Sequence, residues 1–166
     1  MAWAASEREF LRGATSGMFI AIIFSFIILL IATMNIVMAL ASVLSVAFIV
    51  TTVVTVMVLM GWELGIAESV GIVILIGFSV DYVIHLSTHY IKSSNSQRGD
   101  RMRDSYAEMG GTITGGSITT LGSGVFLFFA KVSLFAKFAV LITSTICIAF
   151  LYSMFFFGSM MHLFGP

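Results

Sequence analysis

From Gly17 to Trp62 no side chain carries a charge, a run more than twice the roughly 20 residues that one membrane crossing requires. Backbone polar groups have no water to bond in hydrocarbon, so such a run is helical and folds back once. The best place for the reversal is Thr33-Met34-Asn35, whose polar side chains suit a tight interfacial turn. Composition agrees: 59% of residues are hydrophobic, 10% are charged and mean hydropathy is +1.09, far from the roughly 25% charged residues of soluble domains. Net charge is zero, which argues against a nucleic-acid partner, since no basic excess is present to gather phosphate backbone. The single cysteine, Cys147, excludes an internal disulfide and a thiolate zinc set. Glu7, Arg8, Glu9 and Arg12 precede an apolar run too long for a cleavable signal core, so the first span is expected to stay in the membrane.

These patterns predict an all-α membrane protein, a five-helix transmembrane bundle. The spans fall near 16–33, 36–60, 66–90, 111–130 and 138–162, after an N-terminal interfacial segment over 1–15. Ser6 and Glu9 have the spacing of a capping box for a surface helix there. A polar loop over 91–110 is expected to carry an amphipathic helix, with Asp100 as its N-cap, Met102, Tyr106 and Met109 as its apolar stripe, and Gly110-Gly111 as its stop. Lys131 and Lys137 bracket the turn between the last two spans and are expected to snorkel to headgroups. Orientation is not decided by counting: Arg8, Arg12, Lys131 and Lys137 lie on one side, and Lys92, Arg98, Arg101 and Arg103 on the other. The second group is concentrated in one loop, which favours that loop as cytoplasmic.

Asp81 is the functional signal. It lies deep in GIVILIGFSVDYVIHLSTHY, and a carboxylate at the centre of a membrane helix costs about 2.5–3.5 kcal/mol unless it faces a cavity, an ion or a partner. Gly77, Asp81 and His85 recur at i, i+4 and i+8 and share one face, with Thr88 and His89 continuing it. Ser79 and Tyr82 are expected to donate hydrogen bonds nearby. The carboxyl suits either of two tasks, binding and releasing a proton or holding a dehydrated sodium ion. The fourth span, GGTITGGSITTLGSG, is rich in small residues that permit close helix approach. Its glycine face is therefore expected against the third span, bringing Ser117, Thr119 or Thr120 towards Asp81. No nucleophile, base and orienting group are clustered, which argues against an enzyme, and no cofactor is expected beyond a transported proton or sodium ion.

The string GWELGIAESVGIVILIGFSVDYVIHLSTHY, with its G-x-S-V-D-Y core, resembles the tenth transmembrane helix of Dispatched-like proteins in the Patched and Dispatched branch of the resistance-nodulation-division superfamily. GGSITTLGSGVFLFF followed by SLFAKFAVLI resembles that family's eleventh helix and the turn into the twelfth, and Leu163 to Pro166 its exit from the twelfth. The resemblance implies half of a sterol-sensing or MMPL-like transporter domain, its last five helices. It implies a carrier driven by an ion gradient, moving lipid, sterol or lipidated substrates, with Asp81 as a coupling acid. It also implies a luminal or extracellular N-terminus and a cytoplasmic C-terminus. Members of the family have twelve spans in two related halves, so the N-terminal half, or another chain, is the expected partner beside membrane lipid or sterol. A sterol-responsive scaffold that does not transport is the alternative.

Overall fold

The computed structural model describes residues 2–62, 65–95 and 97–165; of these, the side chains of 2–11, 14, 66, 67 and 133 are left undescribed. The described residues form helices α1 (Ala2–Thr33), α2 (Ile36–Leu59), α3 (Ile66–Lys92), α4 (Arg98–Phe128) and α5 (Ser133–Leu151). The last continues through a π-helical stretch, Tyr152–Phe157, into α6 (Gly158–Phe164). α5, the π-helical stretch and α6 together make one long rod, so the bundle has five helical rods and, among the described residues, no strand.

Among the described residues four segments are long and apolar enough to cross a membrane: Thr15–Thr33, Ile36–Leu59, Glu68–Lys92 and Leu134–Phe164. α4 is not among them, because glycine, serine and threonine dilute its apolar content. It nevertheless lies antiparallel along the last rod, with Tyr106 against Gly158 near one end and Gly124 against Thr143 near the other. At about 1.5 Å per residue its 31 residues reach about 46 Å, against a hydrocarbon core of about 30 Å. Its first turns therefore project beyond the hydrocarbon.

The reversal between α1 and α2 falls where the polar side chains place it. Thr33 Oγ1 donates to the Leu29 carbonyl at 2.7 Å, closing α1. Asn35 Oδ1 accepts from the Val37 and Met38 amides at 3.0 and 3.4 Å, capping α2. Met34 between them takes φ 49°, the left-handed region that costs an L residue about 1–2 kcal/mol.

Two surface-helix expectations are corrected. α4 runs unbroken through Gly110 and Gly111, so 91–110 holds no separate helix, and Asp100 lies inside α4 while Gln97 occupies the N-cap position. Glycine in a helix interior costs about 1 kcal/mol. Tertiary contacts outweigh that here: the Tyr106 hydroxyl donates to the Met154 carbonyl, and His89 Nδ1 lies 3.1 Å from Glu108 Oε2. Burial also pushes the Tyr106 phenol above its ordinary pKa, keeping the hydroxyl a donor. At the other end, Ser6 lies within α1 rather than at its start, so the segment 1–15 is continuous with the first span from Ala2 onward. The side chains of the capping-box pair lie outside the described set.

α3 touches each of the other four rods. Leu75, Ile76, Val83, Leu86 and Tyr90 of α3 are buried together with Met38, Ile49 and Val53 of α2 and Ile146, Phe157 and Met161 of the last rod. Small residues decide the closest approaches. A Cβ at Gly71 would lie 2.8 Å from Leu141 Cδ1, one at Gly124 2.8 Å from Thr143 Oγ1, and one at Gly158 would overlap the Tyr106 hydroxyl. Gly110, Gly111, Gly115, Gly116 and Gly122 meet nothing within 4 Å. The glycine-rich stretch of α4 thus packs through Gly124 on α5, and the expected contact of Gly116 with α3 is not made.

Two outcomes are expected. Asn35→Ala should cost about 1 kcal/mol of helix-pair stability through the lost cap, while Met34→Gly should be neutral or stabilising; unfolding in mixed micelles reads both. Gly124→Leu should destabilise by about 1–3 kcal/mol through overpacking, whereas Gly116→Leu should behave like the parent. Equal effects of the two leucine substitutions would refute the α4–α5 contact described here.

Candidate functional site: an open carboxylate on the third helix

Gly77, Asp81 and His85 form one exposed strip on α3. Asp81 Oδ1 lies 3.5 Å from His85 Nε2, with the two side chains 69% and 51% exposed. The carboxylate opens into a groove of about 460 Å³ between α3 and α1, where Gly77, Phe78 and Ile84 face Phe24, Ser25 and Ile28. Gly77 leaves the space one turn before Asp81 empty, since a Cβ there would meet nothing.

The other expected participants are elsewhere. Ser79 is fully buried and donates to the Leu75 carbonyl at 2.8 Å. Two residues along a helix is a rotation of about 200°, so Ser79 and Asp81 point to opposite sides. Tyr82 is buried on the core side as well. Ser117 is buried and donates to Ile113, while Thr119 and Thr120 both donate to the Gly116 carbonyl. None of these three lines the Asp81 groove, whose walls come from α1 and α3. His89 turns away to Glu108, and the Thr88 hydroxyl bonds the Ile84 carbonyl of its own helix.

The hydroxyl that does reach the groove is Ser25 of α1, which donates to the Ala21 carbonyl at 2.7 Å and keeps lone-pair capacity. It is the lone hydroxyl among residues 17–32, a signal legible in the sequence once α1 is known to be the neighbour. One carboxylate, one imidazole and one hydroxyl can accept and relay a proton or give a cation its first oxygen ligands. They do not complete a coordination shell.

A second charged pair anchors α3. Glu68 Oε1 accepts from Lys137 Nζ of α5 at 2.5 Å, with the Glu68 side chain only 5% exposed and that of Lys137 44%. The ammonium also lies 5.6 Å from the Trp62 ring centroid, a cation–π distance. The expectation that Lys137 snorkels to headgroups is therefore corrected: a buried carboxylate is the stronger attraction for it.

This architecture, apolar helices long enough to span a membrane with a carboxylate on an open face of one of them, defines an integral membrane protein built as an all-α bundle. The chain belongs to the MMPL family, which matches residues 4–166, and is a Dispatched-like protein of the resistance-nodulation-division superfamily. It is 27% identical to "Protein dispatched homolog 1" of Mus musculus over 99% of its own length. It is likewise 27% identical to "Protein dispatched homolog 3" of Gallus gallus over 93%, and 29% identical to "Protein dispatched homolog 2" of Homo sapiens over 89%. It covers 11%, 12% and 10% of those proteins, so it spans about a tenth of the length of the curated relatives it matches.

Removing the lysine of the second pair strands a buried charge, which in a fully buried pair costs about 3–5 kcal/mol. Because Lys137 is half-exposed, Lys137→Met should cost about 2–3 kcal/mol. The double variant Glu68→Gln with Lys137→Met should recover most of that loss. A double-mutant cycle by micellar unfolding reads the coupling, and strictly additive effects would refute it.

Proposed function

We propose that this chain is the C-terminal membrane portion of an ion-gradient-driven transporter of the resistance-nodulation-division type, with no enzymatic step, exporting a lipid, sterol or lipidated substrate. Asp81 would be an intramembrane coupling acid, taking up a proton or a sodium ion. One observation carries the reading: the carboxylate sits with Gly77 and His85 on a face of α3 that α1 flanks on one side and that no described helix closes over. An exposed carboxylate is expensive in lipid, so the face needs a protein or aqueous partner. The helices that complete it would come from outside these 166 residues, and the small share of each relative that the chain covers leaves room for them. Their oxygens would supply what the one carboxylate and Ser25 do not. In this reading the N-terminus faces the lumen or exterior, and the loop with Lys92, Arg98, Arg101 and Arg103 faces the cytoplasm.

The test is substrate export by the complete transporter under an imposed proton gradient and, separately, a sodium gradient. Asp81→Asn keeps the shape and removes the titratable charge, so export should fall at least tenfold while expression and folding persist. His85→Ala should give a partial loss. Ser79→Ala, on the opposite side of the helix, should leave transport close to the parent. Undiminished export in Asp81→Asn under both gradients would remove the coupling role and leave a non-transporting, sterol-responsive scaffold as the better account.

A further inference from the structure

A cavity separate from the Asp81 groove lies between α4 and the last rod. It is a groove of about 870 Å³ between the first turns of α4 and the π–α6 end of the last rod. Phe150, Met154 and Phe155 form its apolar wall, and Arg103 and His162 stand at its mouth. A second groove of about 290 Å³, apolar throughout, continues it deeper between α4 and α5; Thr114 and Phe150 line both, and Ile118 and Cys147 line the deeper one. The two make one trough with a polar mouth and an apolar length.

Its dimensions match a leaflet. Half of a bilayer with its headgroups is about 20–22 Å, which corresponds to about 14 residues of helix. Counted from Arg103 along α4, that reaches Ser117, which lines the deeper groove beside Ile118 and Cys147. A headgroup at Arg103 therefore puts the deeper groove near the bilayer midplane.

The charge at the mouth is uncommitted. The acids of α4 nearest Arg103 on its C-terminal side are drawn towards α3. Asp104 accepts from Ser93 at 2.7 Å and Asn95 at 2.6 Å, and Glu108 pairs with His89. Arg98 is used structurally, donating to the Leu163 carbonyl at 2.9 Å at the end of α6. Arg103 is exposed and makes no ion pair among the described residues. Glycines shape the mouth: His162 lies over Gly99, where a Cβ would meet its Nε2 at 3.4 Å, and Gly158 admits the Tyr106 ring. That ring bonds the Met154 carbonyl within the π-helical stretch and so fixes the bulged wall. π turns inserted in α-helices recur at functional sites.

We propose that this trough binds an anionic phospholipid of the leaflet at this end of the bundle. Its phosphate is held by Arg103 and His162, and one acyl chain runs past Phe150 and Met154 to Cys147. A guanidinium offers a phosphate paired N–H donors, and basic pockets between membrane helices are a recurrent mode of anionic-lipid capture. The site shares no residue with the Asp81 groove and does not rest on the transport reading.

Native mass spectrometry of the full chain in detergent, titrated with phosphatidylglycerol or phosphatidylcholine of the same acyl chains, tests it. One phosphatidylglycerol should be retained per chain with a preference of about fivefold, the expectation for one arginine near the membrane surface. Arg103→Gln should abolish the preference, Arg103→Lys should keep most of it, and Lys131→Gln, beyond the far end of α4, should leave it unchanged. Millimolar inorganic phosphate should not displace the lipid. A second measurement uses the unmodified protein: alkylation of Cys147, the sole cysteine, by a membrane-permeant maleimide should be slowed several-fold more by phosphatidylglycerol than by phosphatidylcholine. Equal retention of the two lipids, an undiminished preference in Arg103→Gln, equal alkylation rates, or displacement by phosphate alone would each overturn the proposal.

Discussion

With lipid tails as apolar as leucine, no hydrophobic drive draws one membrane helix to another, and close packing with a few polar contacts sets their places. In this bundle those contacts fall on α3. Gly71 lets Leu141 approach its backbone, and the buried Glu68 carboxylate is tied to Lys137. The same helix commits Leu75, Ile76, Ser79, Val83, Leu86 and Tyr90 to the interior. A helix has one circumference, so committing that side turns Gly77, Asp81 and His85 outward. The open carboxylate is a consequence of how the rest of the helix is held.

The last rod and α4 obey the same rule with a different result. They are antiparallel partners that meet at Gly124 and again at Gly158, but towards the mouth α4 presents Gly110 and Thr114, too small to fill the space. The space remains as a trough. Near its mouth the rod loosens into π turns over Tyr152–Phe157, braced by Thr52 on the Tyr152 hydroxyl at 3.1 Å and by Phe48 edge-on to Phe156 at 5.2 Å. α4 is therefore a polar helix stabilised by its neighbours and by its projection past the hydrocarbon, which is why hydropathy alone undervalues it.

Family membership and geometry bear on function from separate directions. The match over residues 4–166 assigns the chain to the MMPL family, and the chain corresponds to about a tenth of the length of the relatives it matches. The geometry adds that the share includes one carboxylate with too few oxygens around it to hold a bare ion. An acid presented on an uncovered face is what one side of an interface between two halves would look like. That supports the transporter reading without naming its substrate.

The sequence by itself determined the helical character, the reversal at Thr33-Met34-Asn35 and the shared face of Gly77, Asp81 and His85. Each depends on local properties: charge-free length, capping side chains and the 3.6-residue period. It also suffices for the family, through the string from Gly61 to Tyr90. Only the tertiary structure decided which side of each helix meets which neighbour. Gly124 rather than Gly116 carries the α4 contact, and that contact is with α5; Ser79 faces the core; Ser25 of α1 is the hydroxyl beside Asp81; Lys137 reaches Glu68 instead of the headgroups. Gly110-Gly111 stays helical because contacts from Tyr106 and Glu108 outweigh an intrinsic preference of about 1 kcal/mol per glycine. Periodicity assigns residues to faces of a helix, but partners are chosen by a packing problem that spans the whole bundle, and no local pattern encodes its solution.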